Sequence, residues 1–131
     1  MIARTWHGIV PISKKEAYYQ YLQKTGLQDY SSIKGHLGLQ VLQRDEQDVT
    51  HFFLITFWDS YESIKRFAGE QYEKARYYPE DHNFLLELEP MVQHFEVLEA
   101  NQIVSINQRF KLTNYLKSNI GHIIGLAALI K

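Results

Sequence analysis

Tyrosines around one arginine, histidines on two strand-like segments, and no cysteine bound the chemistry open to this chain of 131 residues. Without Cys there is no disulfide framework, thiolate nucleophile or thiolate metal site. His7 and His94 fall near opposite ends of the first hundred residues. A neutral imidazole near pH 7 is a natural acceptor for the proton of a weak acid such as a phenol. Each can equally bond a backbone group or sit at the surface. Tyr72, Arg76, Tyr77 and Tyr78 cluster in one short segment. Read as helix, Tyr72 and Arg76 share a face, setting a phenol and a guanidinium over a cavity mouth, which suits an enolate or quinone oxygen. An exposed aromatic–cation pair is the alternative. Asp81, just past Pro79, either orients Arg76 or caps the next turn. Trp58 either plugs a strand–helix corner or forms a flat wall against a planar ligand.

Other chemistries are not expected. No two histidines are spaced i, i+4, and no carboxylate–histidine cluster stands out, so no metal is expected. There is no Gly-rich phosphate loop and no GxSxG nucleophile context. The net charge of -1, with basic residues not interleaved with aromatics, gives no reason to expect nucleic acid. Arg4 and His7 interrupt the apolar N-terminus, so a signal peptide is not expected and a cytoplasmic location is.

The elements that must position these residues centre on Asp48–Gly69. Its first half is apolar on both sides, with His51, Phe53, Ile55 and Phe57 alternating against Phe52, Leu54, Thr56 and Trp58. Such a run suits a strand covered on both faces. Asp59 and Glu62 read as a capping box opening a helix over Ile64, Phe67 and Ala68, stopped by Gly69. Upstream, Ile2–Val10 reads as a strand ended by Pro11. Ser13–Glu16 reads as a second capping box, followed by a helix with Tyr18, Tyr21, Leu22 and Thr25, with Gly26 as its C-cap. Asp29–Gly35 reads as a turn, His36–Arg44 as a strand, and Asp45–Asp48 as a hairpin loop. Downstream, Glu70–Tyr78 is expected to be helical, Phe84–Leu86 an apolar plug and Met91–Leu98 the last strand. The order is strand, helix, strand, strand, helix, strand: an α+β, ferredoxin-like βαββαβ domain with a four-stranded antiparallel sheet. Two helices cover one face of that sheet. The other predicts a partner, most simply a second copy of the chain.

Residues 101–131 carry +4 and no carboxylate, against -5 for the first hundred. The shift divides the chain into a folded domain, 1–100, and a basic, amphipathic C-terminal helical extension, 101–131. Leu112, Leu116, Ile120, Ile123, Ala127 and Ile130 make one helical stripe, too short in its apolar part to span a bilayer. A docked helix or tail, or membrane-surface contact through 109–131, are the readings open to it.

ARTWHG at the start, LITFWDSYESIKRFAG in the middle, YYPED at Tyr77–Asp81 and VQHFEVLE at the end together resemble antibiotic-biosynthesis-monooxygenase-type domains of the dimeric α+β barrel superfamily. The resemblance spans about residues 2–99. It implies a homodimer with a pocket between each sheet and its helices, and no required cofactor. It implies, further, a monooxygenase that turns a small phenolic, polyketide-like substrate into a quinone by direct reaction of its anion with dioxygen. His7 or His94 would then be the base, Trp58 the wall, and Tyr72, Arg76, Tyr77 and Asp81 substrate contacts. Haem-degrading relatives use an Asn on the first strand with a Trp and a His on the helical side. This chain has no Asn in Ile2–Val10 and no His between Trp58 and His82, so that activity is not expected. A non-catalytic dimeric ligand-binding or interaction module is the other reading, because one scaffold serves unrelated functions.

Overall fold

Four strands pair in the order β2-β3-β1-β4, all antiparallel, in a computed structural model that describes residues 1–101. The strands are β1 (Ile2–Pro11), β2 (His36–Glu46), β3 (Val49–Trp58) and β4 (Gln93–Glu96). Between them lie α1 (Lys15–Lys24), α2 (Gly26–Ser32) and α3 (Tyr61–Ala68). This is the ferredoxin-like α+β arrangement. The expected C-terminal helix, its apolar stripe and its membrane contact lie outside the described residues. Among the described residues no helix is long and apolar enough to cross a membrane.

Register decides which side chains face the helices. Ile2 pairs with Trp58, Trp6 with Leu54 and Val10 with Thr50, so the even positions of β1 and β3 share one face. That face meets Tyr18 and Leu22 of α1, Tyr30 of α2, and Ile64 and Phe67 of α3 in one core with Phe52, Leu54 and Trp58. The odd positions, His7, His51, Phe53, Ile55 and Phe57, turn to the other face. There Phe53, Leu42 and Phe95 stay exposed. Both sides of β3 are therefore apolar, and one is uncovered by the described residues.

Several local expectations are corrected. No side chain caps α1, which is entered through a 3-10 turn at Ile12–Lys14. Gly26 does not end the first helix as a C-cap; it is buried and begins α2, so Asp29–Ser32 is helical rather than a turn. The hairpin shortens to Gln47-Asp48, with the strands running to Glu46 and from Val49. Gln47 takes the left-handed conformation, φ 57°. At α3 the cap is Ser60, whose hydroxyl accepts from the Ser63 N–H, and not Asp59. Asp59 instead accepts from the Ser60 and Ser63 hydroxyls.

The largest correction concerns 70–78, expected as a helix. Its backbone bonds go sideways: Ala75 N–H to Pro90 O and Val92 N–H to Glu73 O, with Lys74 bridging Met91. An extended ladder and a helix compete for the same N–H groups, and here the ladder wins. Of the expected plug, Leu85 is buried, Phe84 half-buried and Leu86 exposed. The last strand is shorter than Met91–Leu98, pairing only across Gln93–Glu96.

Candidate functional site

Arg4 is the buried charge around which the site is built. Strand alternation puts it in phase with Ile2 and Trp6, facing the helices, and it is 4% exposed. Its Nη1 donates to Tyr72 O and reaches His94 Nε2 at 3.1 Å; Nη2 donates to Lys74 O at 3.2 Å. The guanidinium lies 5.8 Å from the Phe67 ring centroid. Burial lowers the Arg4 pKa, though a guanidinium stays charged. Because Arg4 donates, His94 Nε2 accepts, which leaves its proton on Nδ1. Burial, reinforced by the Arg4 charge, holds the His94 pKa down at about 4, so this imidazole is neutral and a poor base.

Beside Arg4, between sheet and helices, is an interior pocket of about 20 Å³. A single water needs roughly 10–15 Å³ of such space, so the void takes a polar group and no ring. Trp6, Tyr18, Tyr30 and Tyr77 wall it, and Arg76, Tyr78 and Gly26 also line it. Arg76 lies 4.9 Å from the Phe67 centroid and 5.2 Å from that of Tyr78, with Asp29 at 3.6 Å. Tyr30 is buried, and desolvation pushes its phenol up to about 12 against the pull of Arg4 and Arg76. It stays a hydroxyl donor at neutral pH. Asp81 is buried too. It accepts from the Tyr18 hydroxyl at 3.1 Å and the Tyr78 N–H at 2.6 Å, and burial raises its pKa. On the other side of Arg4, Tyr61, Tyr72, His94 and Phe95 border an open cleft of about 520 Å³.

The sequence-predicted residues thus divide. Arg76, Tyr77 and Asp81 line the interior pocket; Tyr72 and His94 line the open cleft. Tyr72 and Arg76 do not share a helical face, since their segment is extended. Trp58 borders neither; fully buried, it bonds Thr56 Oγ1 through Nε1 at 2.9 Å. His7 and His94, although on the neighbouring strands β1 and β4, do not meet. His94 pairs with Arg4 on the helix-facing side, and β4 ends its pairing at Thr5, while His7 faces the opposite side.

There His7 joins a different chain of contacts. Its Nδ1 lies 2.8 Å from Glu89 and its Nε2 2.9 Å from His51 Nδ1, and His51 Nε2 lies 3.4 Å from Glu46. Two neutral imidazoles carry two N–H groups for three contacts, which leaves one contact without a proton. Among the described residues no group of three or more His, Asp or Glu is disposed to hold a metal.

No family model matches the sequence, and no curated protein matches it. Solved structures do match. One is a variant of MhuD with two manganese protoporphyrin IX molecules bound per active site, 16% identical, with a TM-score of 0.52 over 79% of this chain and 100% of that chain. Another is a candidate antibiotic biosynthesis monooxygenase from Bacillus cereus, 14% identical, with a TM-score of 0.51 over 79% of this chain and 97% of that chain. The class defined is a ferredoxin-like α+β domain. Within it, the chain shares its fold with both of these solved structures.

Proposed function

We propose that this domain binds a small, single-ring phenol at the interior pocket and oxygenates it with dioxygen, needing no resident metal or flavin. The observation that supports this is the pocket's make-up: aromatic walls around a void the size of one polar group, with Arg4, Arg76 and Asp81 at its border. The ring lies in the mouth, where exposed Arg76 and half-buried Tyr78 give way to it. Its hydroxyl lies between Arg76 and Asp81. A carboxyl raised by burial is closer to a phenol in proton affinity than an ordinary one, so Asp81 is the proton acceptor in this reading. Arg76 offsets the charge that develops on the phenolate oxygen. The phenolate carbon para to oxygen then forms a C–O bond to dioxygen, and loss of water leaves the quinone. Phenol plus dioxygen gives quinone plus water. His94 holds Arg4 in place and takes no proton, and His7, on the opposite face, stands outside this chemistry.

A porphyrin does not suit these residues: the void is far too small, and the adjacent imidazole directs Nε2 at a guanidinium. The face carrying Phe53, Leu42 and Phe95 is the proposed seat of a second copy. A non-catalytic binding module is the second reading, favoured by the same small void. Oxygen uptake with a panel of single-ring phenols and no added cofactor separates the two. Uptake that is lost in Asp81→Asn supports the oxygenase. Phenols that bind without any uptake select the module.

A further inference from the structure

Three of the five N–H groups of Arg4 are engaged, two by main-chain carbonyls and one by an imidazole. None goes to a carboxylate. The ion pairs among the described residues involve His7, Lys15, Arg44, His51, Lys65 and Arg76, and never Arg4. A buried charge is retained where it is paired, and this one has hydrogen bonds but no counter-charge. Asp81 does not serve. Its two oxygens are turned to the Tyr18 hydroxyl and the Tyr78 N–H. The void beside Arg4 matches a carboxylate head in size, and the buried Tyr30 hydroxyl borders it as a second donor.

We infer that the pocket's ligand is an aromatic monoacid, its carboxylate seated on Arg4 and Tyr30 and its ring in the mouth beside Arg76 and Tyr78. This rests on the proposed placement of the ligand in the interior pocket, and not on oxygenation. A benzoate meets this requirement: its carboxylate supplies the missing charge at Arg4 while its ring stays in the mouth. A neutral phenol leaves the Arg4 charge uncompensated. A phosphate or sulfate, bulkier than a carboxylate, exceeds the void.

The test is a tryptophan-fluorescence titration of the full chain under nitrogen with benzoate and with its neutral isostere benzamide, since Trp6 lines the pocket. The wild type is expected to bind benzoate at least tenfold more tightly. Arg4→Met, which keeps length and removes charge, should bring the two affinities within about twofold of each other, and Arg4→Lys should restore part of the preference. Equal wild-type affinities, or a preference unchanged in Arg4→Met, overturn the inference. If Arg4→Met does not fold, the wild-type comparison decides alone. Benzoate preference without oxygen uptake removes the oxygenase reading and keeps this one. Uptake with neutral phenols but no benzoate preference does the reverse.

Discussion

Replacing Trp58 by Phe separates a core plug from a ligand wall, two roles the sequence left open. Trp58 has no exposed surface and packs on Phe67, Tyr30 and His36, with ring centroids 6.0, 6.4 and 5.1 Å away. The substitution removes the pyrrole portion of the indole, about two buried carbon equivalents at roughly 0.8 kcal/mol each. It also removes the bond to Thr56 Oγ1, worth about 1 kcal/mol net. The Thr56 hydroxyl keeps its contact with Arg4 O at 3.4 Å, so it is not stranded. The sum is about 2–3 kcal/mol. Urea unfolding should show that loss as a lower midpoint at unchanged m, and Tm should fall by roughly 8–24 °C, at about 4–8 °C per kcal/mol for a domain of this size. Ligand affinity should hold within about twofold, because Trp58 borders neither the pocket nor the cleft. A variant of native stability that no longer binds would refute the reasoning: Trp58 would then be wall.

Gly35 stands at φ 95°, and a Cβ there would meet Ser63 Oγ at 1.9 Å, so Gly35→Ala should cost about 2–4 kcal/mol, readable by calorimetry. Ser60→Ala removes the hydroxyl that accepts from Ser63 N–H and should cost about 1 kcal/mol by urea unfolding, with no change in ligand binding. His94 gives a pH dependence. Its folded pKa of about 4 lies below its ordinary 6.5, so the unfolded chain binds the proton more readily and stability falls as pH drops from 6.5 to 4. Asp81, raised in the fold, acts in the opposite sense at the acid end. Subtracting the profile of His94→Gln from that of the wild type isolates the histidine; a difference flat across that window would count against its neutral, buried state.

Much of the fold was legible because alternation is a strong signal. In β3 both faces are apolar, and that pattern placed the strand in the middle of the sheet. Arg4 carried a readable signal that went unused, since an arginine in phase with Ile2, Trp6 and Val10 sits where the core must be. Other features were not legible. The spacing of Tyr72 and Arg76 suits a helix, but the partner that draws the Lys74 and Ala75 region into extended pairing lies at Pro90 and Met91, distant in sequence. Whether His7 meets His94 depends on where β4 stops pairing, which no local pattern reveals. The two histidines ended on opposite faces through a register of one strand against another.

The most direct measurement is the fate of isotopic oxygen. With 3-hydroxybenzoate and other single-ring phenols whose carbon para to the hydroxyl carries hydrogen, incubated with the purified chain and no cofactor under ¹⁸O₂, mass spectrometry should find one labelled oxygen in the quinone product and the other in water. Product carrying oxygen from solvent, or no product with any phenol the protein binds, would contradict the account.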